Sequence, residues 1–183
     1  MKKSDKKKLS IQDMILIAMF AAVISVLSIL SIPTPSGVPF TLQTFAIALC
    51  GYFLGKGRGA AAAFLYLLIG AVGLPVFSGM KGGFGVLAGP TGGFIVGFIA
   101  MAAICGFGME WKNRVLSLIL GFVGLAVCHI FGFVWYAVLM SVSLMESFLL
   151  VSAPYLIKDV ISLVGAYLLA LILKKTLGKA GIQ

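Results

Sequence analysis

The stretch from Met14 to Ile32 contains no charged residue, and five further apolar stretches follow it along a chain of 183 residues. A bilayer core about 30 Å thick is crossed by roughly 20 predominantly apolar residues in a helix. Hydrocarbon offers the backbone no hydrogen-bonding partners, so such a stretch must satisfy its own N–H and C=O groups as a helix. Hydrophobic residues make up 61% of the chain and charged residues only 10%, whereas a soluble domain is about a quarter charged. So few charges cannot coat a surface that faces water; the solvent for most of this surface is lipid. The sequence therefore predicts an all-α integral membrane protein. A single transmembrane domain occupies 1–183, opened by a basic segment at 1–12, with no room for a soluble nucleotide-binding domain.

Six spans are expected. They lie at about 13–32, ended by Pro33 and Pro35; about 41–54, ended by the turn Gly55-Lys56-Gly57-Arg58-Gly59; about 60–73, ended by Pro75; about 92–108; about 115–140, long enough to tilt or bend; and about 155–173. The first is longer than a signal-peptide core and no small-x-small cleavage site stands clearly behind it, so it reads as a retained helix. Lysine and arginine then set the orientation. Lys2, Lys3, Lys6, Lys7, Lys8, Lys56, Arg58, Lys112, Arg114, Lys174, Lys175 and Lys179 fall on one side, which is 12 of the 14 basic residues. Lys81 and Lys158 fall on the other. An even number of spans with both termini in the cytoplasm follows, in a multi-pass cell-membrane protein. The basic charge flanks hydrophobic helices, so it marks topology and not nucleic-acid binding.

The far-side segment Leu74–Thr91 reads LPVFSGMKGGFGVLAGPT. A merely solvated loop would be polar, yet this one carries Val76, Phe77, Phe84, Val86 and Leu87 among its glycines. Irregular backbone at membrane depth is tolerated where it lines a cavity, and glycine lets backbone approach a ligand closely. The segment reads as a loop folded over a ligand pocket, with an interfacial hairpin as the plainer alternative. Ionisable groups inside apolar spans are costly and mark function or pairing. Asp159 is one; Tyr155, Asp159, Ser162 and Ala166 share a helix face by their spacing. Asp159 either accepts ligand N–H groups or pairs with Lys158 or Lys81. Gln43, at the start of the second span, offers donors and an acceptor. Lys81 is the cation of the far-side loops. His129 has no second histidine or carboxylate near it in sequence and reads as a satisfied buried residue, with no metal site. Cys50, Cys105 and Cys128 read as small buried hydrophobes. No nucleophile elbow and no phosphate-binding loop is present. Ala18 and Ala22, and Gly51 and Gly55, have the small-xxx-small spacing that lets helices approach closely in lipid.

Several strings together resemble a known family over about residues 12–175. They are VPFTLQT at 38–44, Gly51-Tyr52-Phe53-Leu54-Gly55, IGAVGLPVFSG at 69–79, the glycine pair at 82–83, and GPTGGF at 89–94. This pattern is similar to BioY, the biotin-specific substrate-capture (S) components of energy-coupling-factor (ECF) vitamin importers. The resemblance implies a six-helix bundle that binds biotin near the outer face without catalysing a reaction. It implies partners as well: a transmembrane coupling subunit and ATPases, with Ala18 and Ala22 resembling the alanine motif that docks on the coupling subunit. The ligand-facing residues expected with it are Gln43, Phe77, Gly82, Phe84, Tyr155 and Asp159, where Asp159 matches the family's acidic position, and Lys81 as the stand-in for a basic partner of the ligand's carboxylate. Cofactors and metals are not implied. The pattern departs from many members, which carry Asn where Lys81 stands, Arg where Ile95 stands, and in some cases a basic residue about where Ser162 lies. An S component for another vitamin and a stand-alone secondary transporter are the alternatives. The latter usually shows internal repeats and midplane ionisable groups.

Overall fold

The computed structural model describes residues 9–111 and 113–179. Lys2, Lys3, Lys6, Lys7, Lys8 and Lys112 lie outside the described residues, as does most of the basic segment 1–12.

Ser10 starts the first helix. Its hydroxyl accepts from the Asp13 N–H at 3.1 Å, and the Asp13 carboxylate accepts from the Ser10 N–H at 3.0 Å, a reciprocal cap that satisfies two otherwise orphaned donors. Helix α1 then runs Ile11–Ile29. It stops short of the expected 32 because Ser31–Ile32 forms strand β1, paired antiparallel with β2 at Phe40–Thr41. The connection between these strands, 33–39, lies over one end of the bundle.

Helices α2 (Gln43–Leu54) and α3 (Lys56–Ala71) are joined by Gly55 alone, at φ +83°. That conformation is open to glycine and strained for other residues. The turn predicted over Gly55–Gly59 is thereby corrected: one glycine completes the reversal, and the Gly59 N–H already donates to the Gly55 carbonyl at 2.8 Å inside α3. A long connection, 72–91, follows and contains the single turn α4 (Phe84–Leu87). Then come α5 (Gly92–Gly108), α6 (Arg114–Met140), α7 (Leu144–Val151), a 3-10 turn at Ala153–Tyr155, and α8 (Leu156–Lys179). The six predicted spans correspond to α1, α2, α3, α5, α6 and α8. At 1.5 Å per residue, the 27 residues of α6 reach roughly 40 Å. Ile11–Ile29, Arg114–Met140 and the stretch Leu144–Leu177 are long and apolar enough to cross a membrane; α2 and α5 are shorter apolar helices.

Helix α7 was not predicted. Ser141, at φ +54°, ends α6, and the Ser143 hydroxyl caps α7 by accepting from the Glu146 N–H. Leu144, Met145, Leu149 and Leu150 are exposed while Ser147 is buried. The apolar face thus points outward, which disguises so short a helix when hydrophobic periodicity is read as core.

Close helix contacts rest on small residues. A Cβ on Gly51 would stand 2.4 Å from the Ala102 carbonyl oxygen of α5, and one on Gly59 would stand 2.9 Å from Gly51 Cα. Gly51 therefore belongs to a seam of α2, α3 and α5. Ala18 and Ala22 behave differently: both are exposed on α1. At one end of the bundle, Lys56 pairs with Glu110 at 3.0 Å and Arg58 with Asp13 at 3.0 Å. These pairs tie the start of α3 to the α5–α6 connection and to the start of α1. The β hairpin, the 72–91 connection and α7 occupy the opposite end. Replacing Gly51 with Val should force α2 and α5 apart, at a cost of about 1–3 kcal/mol. A lowered melting temperature in detergent is the expected result; an unchanged one would reject this packing.

Candidate ligand-binding site

Helix α8 opens beneath the hairpin end with Lys158 and Asp159. Tyr155, Asp159, Ser162 and Ala166 are all buried, so the face predicted from their spacing is the inward one. Asp159 Oδ1 accepts from Lys158 Nζ, and Asp159 Oδ2 lies 3.3 Å from His129 Nε2 of α6. The second histidine nitrogen, Nδ1, lies 3.1 Å from Ser152 Oγ. A buried carboxylate is tolerated when it is paired and hydrogen-bonded, and Asp159 is both. Lys158 Nζ also donates to the Thr41 carbonyl of β2 at 3.0 Å, so it pins the hairpin to α8.

Gln43 is buried in the first turn of α2. Its amide oxygen accepts from Thr41 Oγ1 at 3.0 Å, and its Nε2 donates to the Tyr66 hydroxyl at 2.7 Å. Tyr66 in turn shares a hydrogen bond with Ser28 at 2.7 Å. Each member has at least one partner, which gives a rigid polar network in place of costly orphans. Tyr155 stacks on Phe40 with ring centroids 4.4 Å apart. Its hydroxyl donates to the Val38 carbonyl and lies 3.1 Å from Thr34 Oγ1. Thus Tyr155 clasps the 33–39 connection, while Lys158 holds the strand after it.

These groups border one cleft between the hairpin, α2, α5, α6 and α8. Gln43, Tyr155 and Asp159 line it together with His129, Lys158, Thr44, Ser78, Thr91, Phe94 and Ile95. Of the predicted ligand-facing residues, Phe77, Lys81, Gly82 and Phe84 are not on that lining. Phe77 is fully buried elsewhere: its ring meets Tyr66 edge-on at 5.4 Å and fills the space left by Gly70, where a Cβ would stand 2.1 Å from it. Phe77 and Lys81 bond each other's backbone, N–H of 77 to C=O of 81 at 2.9 Å, and the Lys81 side is exposed. Gly82 lies where a Cβ would meet the Leu74 carbonyl at 2.3 Å, so its smallness serves loop packing. Phe84 is 73% exposed. The loop residues that do reach the cleft, Ser78 and Thr91, were not singled out from sequence.

His129 is satisfied and buried, as predicted, but its partners are a carboxylate and a serine from two other elements. Nothing in the local sequence around Cys128-His129 signals them. Among the described residues, no cluster of His, Cys, Asp and Glu suited to a metal is found.

The fold and this cleft define a class: a helical membrane bundle with a cleft recessed beneath one mouth, bordered by buried polar side chains among apolar ones. The BioY family profile matches residues 1–179. A biotin transporter BioY of Thermotoga maritima is 40% identical over 90% of this chain and 96% of its own. A probable biotin transporter BioY of Pyrococcus horikoshii is 33% identical over 87% and 94%. A crystal structure of the S-component for biotin from an ECF-type ABC transporter superposes with a TM-score of 0.82, at 24% identity, over 90% of this chain and 91% of that one; it shares the fold. The chain belongs to the BioY family.

Tyr155→Phe should retain the stack on Phe40 and lose the hydroxyl clasp on Val38 and Thr34, at a cost of about 0.5–1.5 kcal/mol. Backbone amide exchange in 33–39 should quicken while that of α2 stays constant. Unchanged exchange in 33–39 would refute the clasp.

Proposed function

We propose that this chain is the membrane subunit that captures biotin at the outer face for import. The observation that supports the reading most directly is the buried Asp159 carboxylate in a cleft shared with Gln43 and Tyr155, in a family whose relatives carry the name biotin transporter. Biotin presents a ureido ring with two N–H donors and one C=O, an apolar bicycle and a carboxylate tail. Under this reading, Asp159 accepts ureido N–H groups. Gln43 turns its remaining amide N–H to the ring's polar atoms. Tyr155, Phe94 and Ile95 cover the apolar bicycle. Leaving such polar groups buried and unpaired costs about 1–3 kcal/mol each, so matched partners select the ligand.

The tail points to the mouth, where Ser78 and Thr91 offer hydroxyls and exposed Lys81 offers charge on the same loop. Ile95 makes position 95 apolar where many members carry Arg, so Lys81 takes that counter-charge role here. The Gly-rich loop closes the mouth, with Phe77 as its anchor in the bundle and Gly82 as its close contact with 74. Phe84 meets the ligand only as the loop settles over it. Both termini face the cytoplasm, following the basic residues. The captured ligand passes inward with an ECF coupling subunit and its ATPases, which dock on the lipid-exposed face bearing Ala18 and Ala22. The chain carries no nucleotide motif and binds without ATP.

Calorimetry on the purified protein with biotin, riboflavin and thiamine separates this reading from an S component for another vitamin. Biotin alone should bind, and riboflavin or thiamine binding with biotin silent would refute the assignment. Asp159→Asn replaces an acceptor oxygen with a donor facing a ureido N–H. Affinity should fall roughly 10- to 200-fold, since about 1.4 kcal/mol is tenfold. A lower melting temperature with affinity within about twofold of the parent would make Asp159 purely structural. Replacing both Ala18 and Ala22 with Trp should abolish uptake in cells and leave biotin binding intact; normal uptake would reject the docking role.

A further inference from the structure

His129 joins three elements at the floor of the cleft. It projects from α6, its Nε2 lies 3.3 Å from Asp159 Oδ2 on α8, and its Nδ1 lies 3.1 Å from Ser152 Oγ in the link after α7. His129 is 5% exposed, Asp159 4% and Ser152 fully buried. Phe94 of α5 meets the imidazole edge-on at 5.8 Å, so the ring is fixed by packing as well as by both nitrogens. On the other side, Lys158 Nζ holds Asp159 Oδ1.

An aspartate on the first turn of a helix is free to rotate about two bonds. Holding one oxygen by the neighbouring Lys158 and the other by His129 of α6 fixes the plane of the carboxylate. An ionised carboxylate has about four lone-pair sites, so one holder on each oxygen leaves acceptor capacity for a ligand. A carboxylate only accepts, so in the neutral ring the proton sits on Nε2, toward Asp159, and Nδ1 accepts from the Ser152 hydroxyl 3.1 Å away. Metal-ligating and catalytic imidazoles are oriented by such outer partners in the same way.

We propose that His129 is a positioning residue for ligand recognition, aiming the Asp159 carboxylate into the cleft, with Ser152 holding its other ring nitrogen. The proposal rests on the reading of Asp159 as the ligand's acceptor. A histidine that merely fills space contributes the same whether residue 159 is acidic or not; a positioning histidine contributes only through the acid.

Biotin calorimetry on the parent, H129L, H129Q, D159N and the H129L/D159N double variant distinguishes these roles. H129L should weaken binding about 10- to 100-fold in the parent. In the D159N background it should add less than about twofold, because residues that act as a unit are not additive. H129Q places an N–H donor near the position of Nε2 and should recover to within about fivefold of the parent. Additive losses, an H129Q as weak as H129L, or an H129L at parental affinity would each overturn the assignment. If H129L elutes as aggregate, H129N takes its place: its amide falls near Nδ1, short of Asp159, so it should bind less tightly than H129Q, and equal affinities overturn the proposal. A parent silent toward biotin removes the functional reading itself. A parent that binds while D159N binds equally well locates the failure at Asp159, and the positioning role falls with it.

Discussion

The buried carboxylate of Asp159 is the constraint around which the hairpin end of this bundle is organised. A charge in an apolar interior is stable only when partners surround it, and here one partner is its neighbour in sequence and the other comes from a distant helix. Lys158 arrives from the same helix, His129 from α6. Lys158 then reaches the carbonyl of Thr41, and His129 reaches Ser152. The charge therefore recruits the hairpin, α6 and the α7 link to one point. Remove the acid and each of those elements loses a reason to be where it is.

A second polar network runs beside the first. Thr41, Gln43, Tyr66 and Ser28 link β2, α2, α3 and α1 through hydrogen bonds of 2.7–3.0 Å. Thr41 belongs to both systems, through its hydroxyl to Gln43 and through its carbonyl to Lys158. A ligand that engages Asp159 or Gln43 is thus felt at the hairpin, because the same short strand anchors both networks. The opposite end is built otherwise. There, glycines bring backbones together and ion pairs at the surface close the connections. Exposed pairs of that kind contribute little stability individually; their arrangement marks the basic side. One end of the bundle thus carries its polar groups in buried networks, and the other carries ion pairs at the surface.

The Gly-rich segment shows how a correct local reading leads to the wrong contact. Its glycines and aromatics do signal a structured loop, and positive φ angles at Gly79 and Gly83 confirm tight turns. Yet Phe77 turns inward onto Tyr66 and Gly70, not toward the cleft. Whether an aromatic on a loop faces a ligand or plugs the core depends on which void the helices leave. The end of α3 leaves one at Gly70, and no pattern within the loop encodes it.

The sequence by itself determined the solvent, the helical class, the positions of the six main helices and the inward face of α8. These follow from hydropathy, from lysine and arginine placement, and from the fixed period of a helix, all of which are local or additive properties. It also singled out Gln43, Tyr155 and Asp159, which the structure brings to one cleft, because polar groups in apolar spans are conspicuous. Only the tertiary structure decided what meets what. It made His129 the partner of Asp159, gave Lys158 two acceptors, turned Gly55 alone into the α2–α3 reversal, and sent Phe77 into the bundle. Those outcomes depend on how helices distant in sequence pack against one another, and a contact between two such helices leaves no periodic trace in either one.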